Sequence, residues 1–249
     1  MGTLTATTVE GLPEIGAGDD LAALILATGA RPADSDIVVI SQKVVSKAEG
    51  RVRELASIAP SSRARELAAE LDKDARHVQA ILDESAAVIR GERGVLIVRT
   101  HQGFVCANAG IDESNAPGDG LILLLPRDPD RSARALRGRL RELSGRSPAV
   151  VISDSFGRAW RLGQLDAAIG CAGLTPLDDW RGRQDRRERT LNATLIAVAD
   201  AVAGAAELTR AKDSGEPVVV VRGLEHHITR HDGPGARALL RPHDQDLFS

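Results

Sequence analysis

Apolar residues arrive along this chain in two rhythms. Short unbroken runs occur at Asp36-Ile37-Val38-Val39-Ile40, Leu121 to Leu125, Ala149-Val150-Val151-Ile152 and Pro217 to Val221. Their length, their β-branched content and their polar or turn boundaries predict buried strands. Leu4 to Val9 alternates Thr with Leu, Ala and Val, which predicts an edge strand. Gly94 to Thr100 and Gly103 to Asn108 predict a strand pair turning around His101-Gln102-Gly103.

The second rhythm is helical. Leu21, Leu24 and Ile25 share one face of a helix that Asp19 or Asp20 caps and Gly29 stops. Ser61 to Ile89 predicts one long helix with a stripe of Leu67, Leu71, Val78, Ile81 and Leu82. Arg131 to Leu143 predicts a basic helix whose arginines form a solvated face. Thr194 to Leu208 is Ala-rich and predicts a helix packed closely on a sheet. The end, from Leu239-Leu240-Arg241-Pro242 to Asp246-Leu247-Phe248, reads as an amphipathic tail that docks. Strands alternate with helices, but the hairpin near residue 102 breaks a simple doubly wound order. The expectation is therefore an α/β (α+β) protein with a mixed sheet, one domain over residues 1–249 with room for two sublobes.

Composition narrows the partners. The chain has 249 residues and is 43% apolar, enough to bury a core, but only 2% aromatic with no Tyr. The core must be Leu, Ile, Val and Ala, and no aromatic platform is available for stacking single-stranded nucleic acid. A formal charge of -3 leaves no global basic footprint, so nucleic acid is not an expected partner. Cys106 and Cys171 lie far apart without zinc spacing, which predicts buried free thiols in a reducing compartment. The N-terminus lacks a signal-peptide pattern, and no apolar run reaches the roughly 20 residues of a bilayer span. These features predict a cytoplasmic protein without a membrane partner.

Candidate chemistry sits where strands end. The stretch Ser153 to Gly173 follows a buried strand and opens with an acid, hydroxyls, arginines and glycines. Asp154 and Ser155 suit a hard cation, and Arg158 and Arg161 suit phosphate or carboxylate. Equally, Ser153 or Asp154 can cap a helix and the arginines can face water. Ser41 to Gly50 reads as a second strand-end loop whose Lys43 and Lys47 suit phosphate oxygens, although exposed turn lysines are the commoner case. It is not a P-loop, because the glycine pattern is missing. Asn108 to Asn115 is either a plain Asx-rich turn or a site with Asp112 on a metal and Asn115 on a nucleotide. Trp180 to Arg189 reads as a charged, mobile loop. His226, His227 and His231 read as a polar loop rather than a metal set, for want of further ligands.

Laid side by side, several segments carry a family likeness. They are Gly11-Leu12-Pro13-Glu14-Ile15 with Gly18-Asp19-Asp20-Leu21, Lys43-Val44-Val45-Ser46-Lys47-Ala48-Glu49-Gly50, and Ala109-Gly110-Ile111-Asp112-Glu113-Ser114-Asn115. Asp154-Ser155-Phe156-Gly157-Arg158-Ala159-Trp160-Arg161 follows, with Gly163-Gln164 and Asp166. Ala197-Val198-Ala199-Asp200, Val219-Val220-Val221-Arg222-Gly223 and the Leu239 to Phe248 tail complete the series. Together they make the chain resemble the coenzyme F420-0:L-glutamate (gamma-glutamyl) ligases, the CofE family, also found as the N-terminal domain of the FbiB ligases.

That resemblance implies a CofE-like ligase fold forming an intertwined homodimer, with the site near the dimer interface. It implies a GTP-dependent ligase that adds L-glutamate to coenzyme F420-0, and further γ-linked glutamates, through an acyl phosphate, releasing GDP and phosphate. It also implies Mn²⁺ or Mg²⁺, two ions at a time, with K⁺ assisting. By position it makes Asp112 and Asp154 first-metal ligands and catalytic residues, and puts Ser155 and Thr190 at a second metal. It places Leu12, Pro13, Glu14, Ile15, Gln42, Lys47, Asn115, Glu188, Arg189 and Leu191 on the nucleotide side. Apart from the resemblance, the chemistry of Arg158 and Arg161 assigns them to the substrate carboxylate or phosphodiester, with Arg158 counted among the catalytic residues.

One departure lies near this chemistry. Relatives commonly read Asp-x-x-Gly-Arg-Glu-Leu-x-x-Thr, whereas this chain has Asp185-Arg186-Arg187-Glu188-Arg189-Thr190-Leu191-Asn192-Ala193-Thr194. Glu188 replaces a glycine and Thr190 an acid, and a hydroxyl is a poor substitute for a carboxylate at a hard cation. A paralogue joining an amino acid to another acid, and a silent GTP-binding protein, are the competing expectations. The nitroreductase-like domain of FbiB has no counterpart in the sequence, which predicts ligation only.

Overall fold

The structure, a computed structural model, describes residues 2–113, 118–211 and 213–246. In chain order its strands are β1 (Thr5–Thr8), β2 (Ile37–Ser41), β3 (Val52–Glu54), β4 (Ser85–Glu92), β5 (Val95–Thr100), β6 (Val105–Ala107) and β7 (Leu121–Leu123). There follow β8 (Ala149–Arg158), β9 (Arg161–Ala172), β10 (Leu177–Asp179), β11 (Leu195–Ala197) and β12 (Val218–Arg222). The α-helices are α1 (Leu21–Ala27), α2 (Gln42–Ala48), α3 (Ser62–Leu71), α4 (Ala75–Asp83), α5 (Pro129–Ser144) and α6 (Val198–Glu207).

The main sheet has the order β1-β12-β2-β8-β9, with β2 and β8 parallel and every other pair antiparallel. Ile37 to Ile40, Ala149 to Ile152 and Val218 to Val221 of its central strands are unbroken apolar runs because both faces are covered there. Val38, Ile40, Val150 and Ile152 point to a core closed by Leu21, Ile25, Ala133 and Leu140 of α1 and α5. Ile37, Val39, Val151, Val219 and Val221 point the other way, against Ala199, Val202, Ala203 and Ala206 of α6. The Ala-rich face lets α6 approach closely. Gly170 does the same for α5, since a Cβ there would lie 2.3 Å from the Pro129 carbonyl oxygen.

A second body of packing lies between α2 and α5 in sequence. There α3 and α4 cover the antiparallel β4-β5-β6 sheet through Leu67, Leu71, Val78, Ile81, Leu96 and Val98. The C-terminal segment is pinned to the main sheet by two buried charges on α5. Asp130 accepts the amides of Cys171 at 2.9 Å and Ala236 at 2.7 Å. Arg137 donates to the Thr229 carbonyl at 2.9 Å and Asp232 at 2.8 Å. Leu239 and Leu240 then dock on opposite cores, as expected of that tail, while Leu247 and Phe248 lie outside the described residues.

The mixed sheet is as the pattern predicts, but several elements differ. The long helix over Ser61 to Ile89 is two helices and a strand. Asp72 adopts a left-handed conformation (φ 53°) that ends α3, Asp74 caps α4, and Ser85 onward pairs with β5. Ser41 to Gly50 is not a loop but the helix α2 with its exit turn. Ser153 to Gly173 is neither loop nor capped helix. It is the long β8–β9 hairpin, which turns at Ala159-Trp160 beyond the body of the sheet. Arg137 is no part of a solvated face, because only 6% of its side chain is exposed. Both cysteines are free and buried.

Candidate active site

The parallel pair sets the site. In register, Ser41 at the end of β2 stands opposite Ser153 of β8, and both strands empty towards the same side. A crevice outside the carboxyl ends of parallel strands is where open α/β sheets bind ligands. Here the chain turns straight from β2 into α2, so Lys43 and Lys47, four residues apart, share one helix face. β8 instead runs on as an arm, presenting Asp154 and Ser155 at the crevice and Asp166 from the facing strand. The fourth wall is Leu12 to Ile15, held over α2 by the Gly18 amide donating to the Ala48 carbonyl at 2.8 Å. Glu207, Arg210 and Glu216-Pro217, between α6 and β12, close the cleft.

Its charges are interlocked. Lys43 Nζ lies 2.5 Å from Asp112 Oδ2, and Lys47 Nζ lies 2.5 Å from Glu14 Oε1. Asp166 is only 4% exposed and receives Ser153 Oγ at 2.9 Å, Ser155 Oγ at 2.6 Å and Arg210 Nη2 at 2.5 Å. Its backbone amide donates to Glu207 Oε2 at 2.8 Å. Burial pushes the carboxyl of Asp154 up to about 7. The neighbouring Asp166 and Asp112 charges push the same way, against the Ser155 amide and the Lys43 ammonium.

This arrangement suits an anionic ligand accompanied by a cation. The lysines are mobile point charges suited to phosphate oxygens. Asp112, Asp154 and the Ser155 hydroxyl form a hard oxygen donor set of the kind Mg²⁺ or Mn²⁺ takes. Burial raises Asp154 first and the neighbouring carboxylates add to it, and a divalent cation would offset both. Among the described residues, no group of three or more His, Cys, Asp or Glu stands ready to enclose a metal, so a cation here would need phosphate or water oxygens as well.

Of the residues singled out in the sequence, Leu12, Pro13, Glu14, Ile15, Lys47, Asp154 and Ser155 line the cleft, and Asp112 reaches it through Lys43. Gln42 lies beneath. It is 1% exposed, its Oε1 accepts Ser46 Oγ at 2.9 Å, and its Nε2 is buried without a partner. Asn115 lies outside the described residues. Arg158 is on the exposed arm, donating to the Leu162 carbonyl at 2.6 Å rather than facing the cleft. Glu188, Arg189, Thr190 and Leu191 sit on the excursion between β10 and β11, tied by the Gln184–Thr190 bridge, and none lines this chain's cleft. The histidines 226, 227 and 231 form no metal group.

Charged wall residues Glu207, Arg210 and Glu216 escaped the sequence reading. Arg210 meets an acid 44 positions away, with β10, β11 and α6 between them in the chain, and nothing local marks it.

The family profile described as F420-0:Gamma-glutamyl ligase matches residues 11–223. The chain is 46% identical over 245 residues, 96% of each sequence, to the coenzyme F420:L-glutamate ligase of Methanothermobacter thermautotrophicus. It is 44% identical over 253 residues, the full length of both, to that of Methanopyrus kandleri. It is 47% identical over 217 residues, 87% of this chain and 86% of the relative, to that of Archaeoglobus fulgidus.

Proposed function

The chain belongs to the F420-0:gamma-glutamyl ligase family and is an enzyme of the ligase class, and we propose that it joins L-glutamate to coenzyme F420-0 at the expense of GTP. The observation that carries this reading is the convergence of Lys43, Lys47, Asp154 and Ser155 on one cleft at the ends of the parallel strands.

A carboxylate is a poor electrophile, so it must be activated before an amine can displace an oxygen. In this reading a carboxylate oxygen of the acceptor attacks the γ-phosphorus of GTP and GDP leaves. The glutamate amino group then attacks the acyl phosphate, phosphate departs and the ammonium proton is lost to solvent or a cleft carboxylate. Phosphoryl transfer of this kind is mainly positioning plus charge neutralisation. Lys47 and Lys43 exchange Glu14 and Asp112 for phosphate oxygens as the nucleotide enters. Leu12 to Ile15 cover the nucleotide on the side away from the sheet.

Asp112, Asp154 and Ser155 would hold Mn²⁺ or Mg²⁺, which would supply neutralisation of the developing phosphoryl charge. K⁺ belongs to the reading only through the family resemblance. So does an intertwined homodimer, which the exposed Trp160 and Leu162 on the β8–β9 arm support. A partner would cover that arm and bring the 180–194 excursion, with Glu188, Arg189, Thr190 and Leu191, towards a second cleft. The two buried thiols accord with a cytoplasmic setting, and no helix among the described residues is long and apolar enough to cross a membrane.

Mass spectrometry of a reaction with F420-0, L-glutamate, GTP and Mn²⁺ tests the assignment. Products heavier by one or more glutamyl units, absent without GTP, are expected. GTP binding without such products would overturn it.

A further inference from the structure

Resting on the reading of the cleft as a phosphate and divalent-cation site, we infer that Arg51 is a positioning residue. Together with Glu84 it fixes the spacing between Lys43, on the phosphate side, and Asp112, on the cation side.

Those two groups reach the cleft along different paths. Lys43 rides on α2, whereas Asp112 follows the turn after β6 and exchanges both backbone hydrogen bonds with Leu123 of β7, at 3.0 and 2.8 Å. Arg51 stands where the paths meet. Its amide donates to the Ser46 carbonyl of α2 at 2.8 Å, and its carbonyl accepts the Leu124 amide at 2.9 Å. The guanidinium reaches further, with Nε donating to the Leu125 carbonyl at 2.9 Å and Nη2 to Glu84 Oε2 at 2.7 Å. Glu84 caps the end of α4, and its own carbonyl accepts the His101 amide at 3.3 Å. The contacts make a closed ring. It runs from Lys43 along α2 to Ser46, through Arg51 to Leu124 and Leu123, then across Asp112 back to Lys43 Nζ at 2.5 Å.

Backbone pairing alone gives this ring little stiffness. β3 and β7 form a two-stranded ribbon of three residues each, and an isolated two-stranded pair is marginal in water. The Arg51–Glu84 pair ties the Leu123 end of that ribbon to α4, and its side chains are only 12% and 17% exposed. Arg53, two residues on, pairs with Asp83 at 3.0 Å, but there the side chains are 36% and 38% exposed and an ion pair contributes little. Arg51 lines no part of the cleft and acts only through the groups it holds.

The test compares full-length wild type with Arg51→Ala, Arg51→Lys, the double variant Arg51→Met with Glu84→Met, and Arg53→Ala as control. Amide exchange at Asp112 and Leu123 is read without ligand, Mn²⁺–GTP binding by titration calorimetry, and kcat and KM from turnover. We expect Arg51→Ala to speed exchange at those two amides and to bind Mn²⁺–GTP about tenfold more weakly, as when a group holding a metal ligand is removed. KM should rise more than kcat falls, because lost stability alone would lower the active fraction, and so kcat, and leave KM in place. Arg51→Lys should recover part of the affinity. The double variant decides the question if Arg51→Ala does not fold, since apolar residues of similar volume often replace a buried ion pair without loss of stability. It too should bind about tenfold more weakly, while Arg53→Ala binds as the wild type does. Folded Arg51 variants with wild-type affinity and KM overturn the inference alone, as does an Arg53→Ala variant that is equally weakened. A wild-type chain that binds no Mn²⁺–GTP overturns the reading of the cleft and the inference together.

Discussion

At the scale of single residues, the cleft is built from charges that already have partners, and its properties follow from how those partners differ. Lys43 and Lys47 are paired to carboxylates that an incoming anion can displace, whereas Arg210 and Asp166 are locked from several sides. Asp154 is the group under most tension, with its carboxyl at about 7 instead of the ordinary 3.8. A raised carboxyl means the folded chain holds a proton that the unfolded chain releases. That contribution to stability is fully present below about 3.8 and is lost as pH rises through about 7. Asp154→Asn removes this dependence. In urea unfolding with a chelator present, the variant should gain on the wild type from pH 5 to pH 7.5, and an equal gap at both values would refute the assignment. The same variant should lower turnover by at least about 100-fold, the scale on which a charge-stabilising group acts.

At the scale of elements, function depends on a strand that does not stop. β8 leaves the sheet still paired with β9, so Asp154, Ser155 and Asp166 are fixed by a backbone ladder rather than by a loop. Arg137 of α5 joins the Pro148 and Thr229 carbonyls to Asp232 and so fastens the segment after β12. Arg137→Ala leaves buried carbonyls and a carboxylate without their donor, and should cost about 3 kcal/mol in denaturant unfolding. Amide exchange around residues 224–240 should accelerate first. Uniform acceleration across the sheet would show that the segment is not a separately held unit.

At the scale of the whole molecule, the β8–β9 arm carries Trp160 at 82% and Leu162 at 96% exposure, alongside exposed Leu195, Ile196 and Leu208. Large apolar side chains on a protruding hairpin mark an interaction surface. In the dimer reading, Trp160→Ala combined with Leu162→Glu should shift the sedimentation coefficient from dimer to monomer. Activity should fall with it, because the excursion carrying Thr190 reaches no cleft in its own chain. A wild-type chain that sediments as a monomer at full activity would remove both expectations.

Much of this was legible along the chain because it depends on local rules. Runs such as Ile37 to Ile40 and Val218 to Val221 announce strands covered on both faces, and Asp20 caps α1 where a short acid at a helix start should. The segments of the family resemblance marked Leu12 to Ile15, Lys47, Asp154 and Ser155, which do line one cleft. Elsewhere tertiary pairing overruled local preference. Ser85 to Ile89 continues a helical stripe in sequence, but hydrogen bonds to β5 make it a strand. Polar, glycine-rich Ser153 to Gly173 looks like a loop until β9 supplies the partner for β8.

The sequence by itself determined the main-sheet strands other than β9, and helices α1, α5 and α6 that cover the sheet, because each rests on neighbours a few positions apart; the order of its short motifs determined the family. Only the tertiary structure decided that Arg210 and Glu207 meet Asp166, that Arg137 is buried, and that the 180–194 excursion stands away from its own cleft. Those facts depend on which residues the folded backbone brings within hydrogen-bonding distance, and side-chain chemistry along the chain carries no record of that.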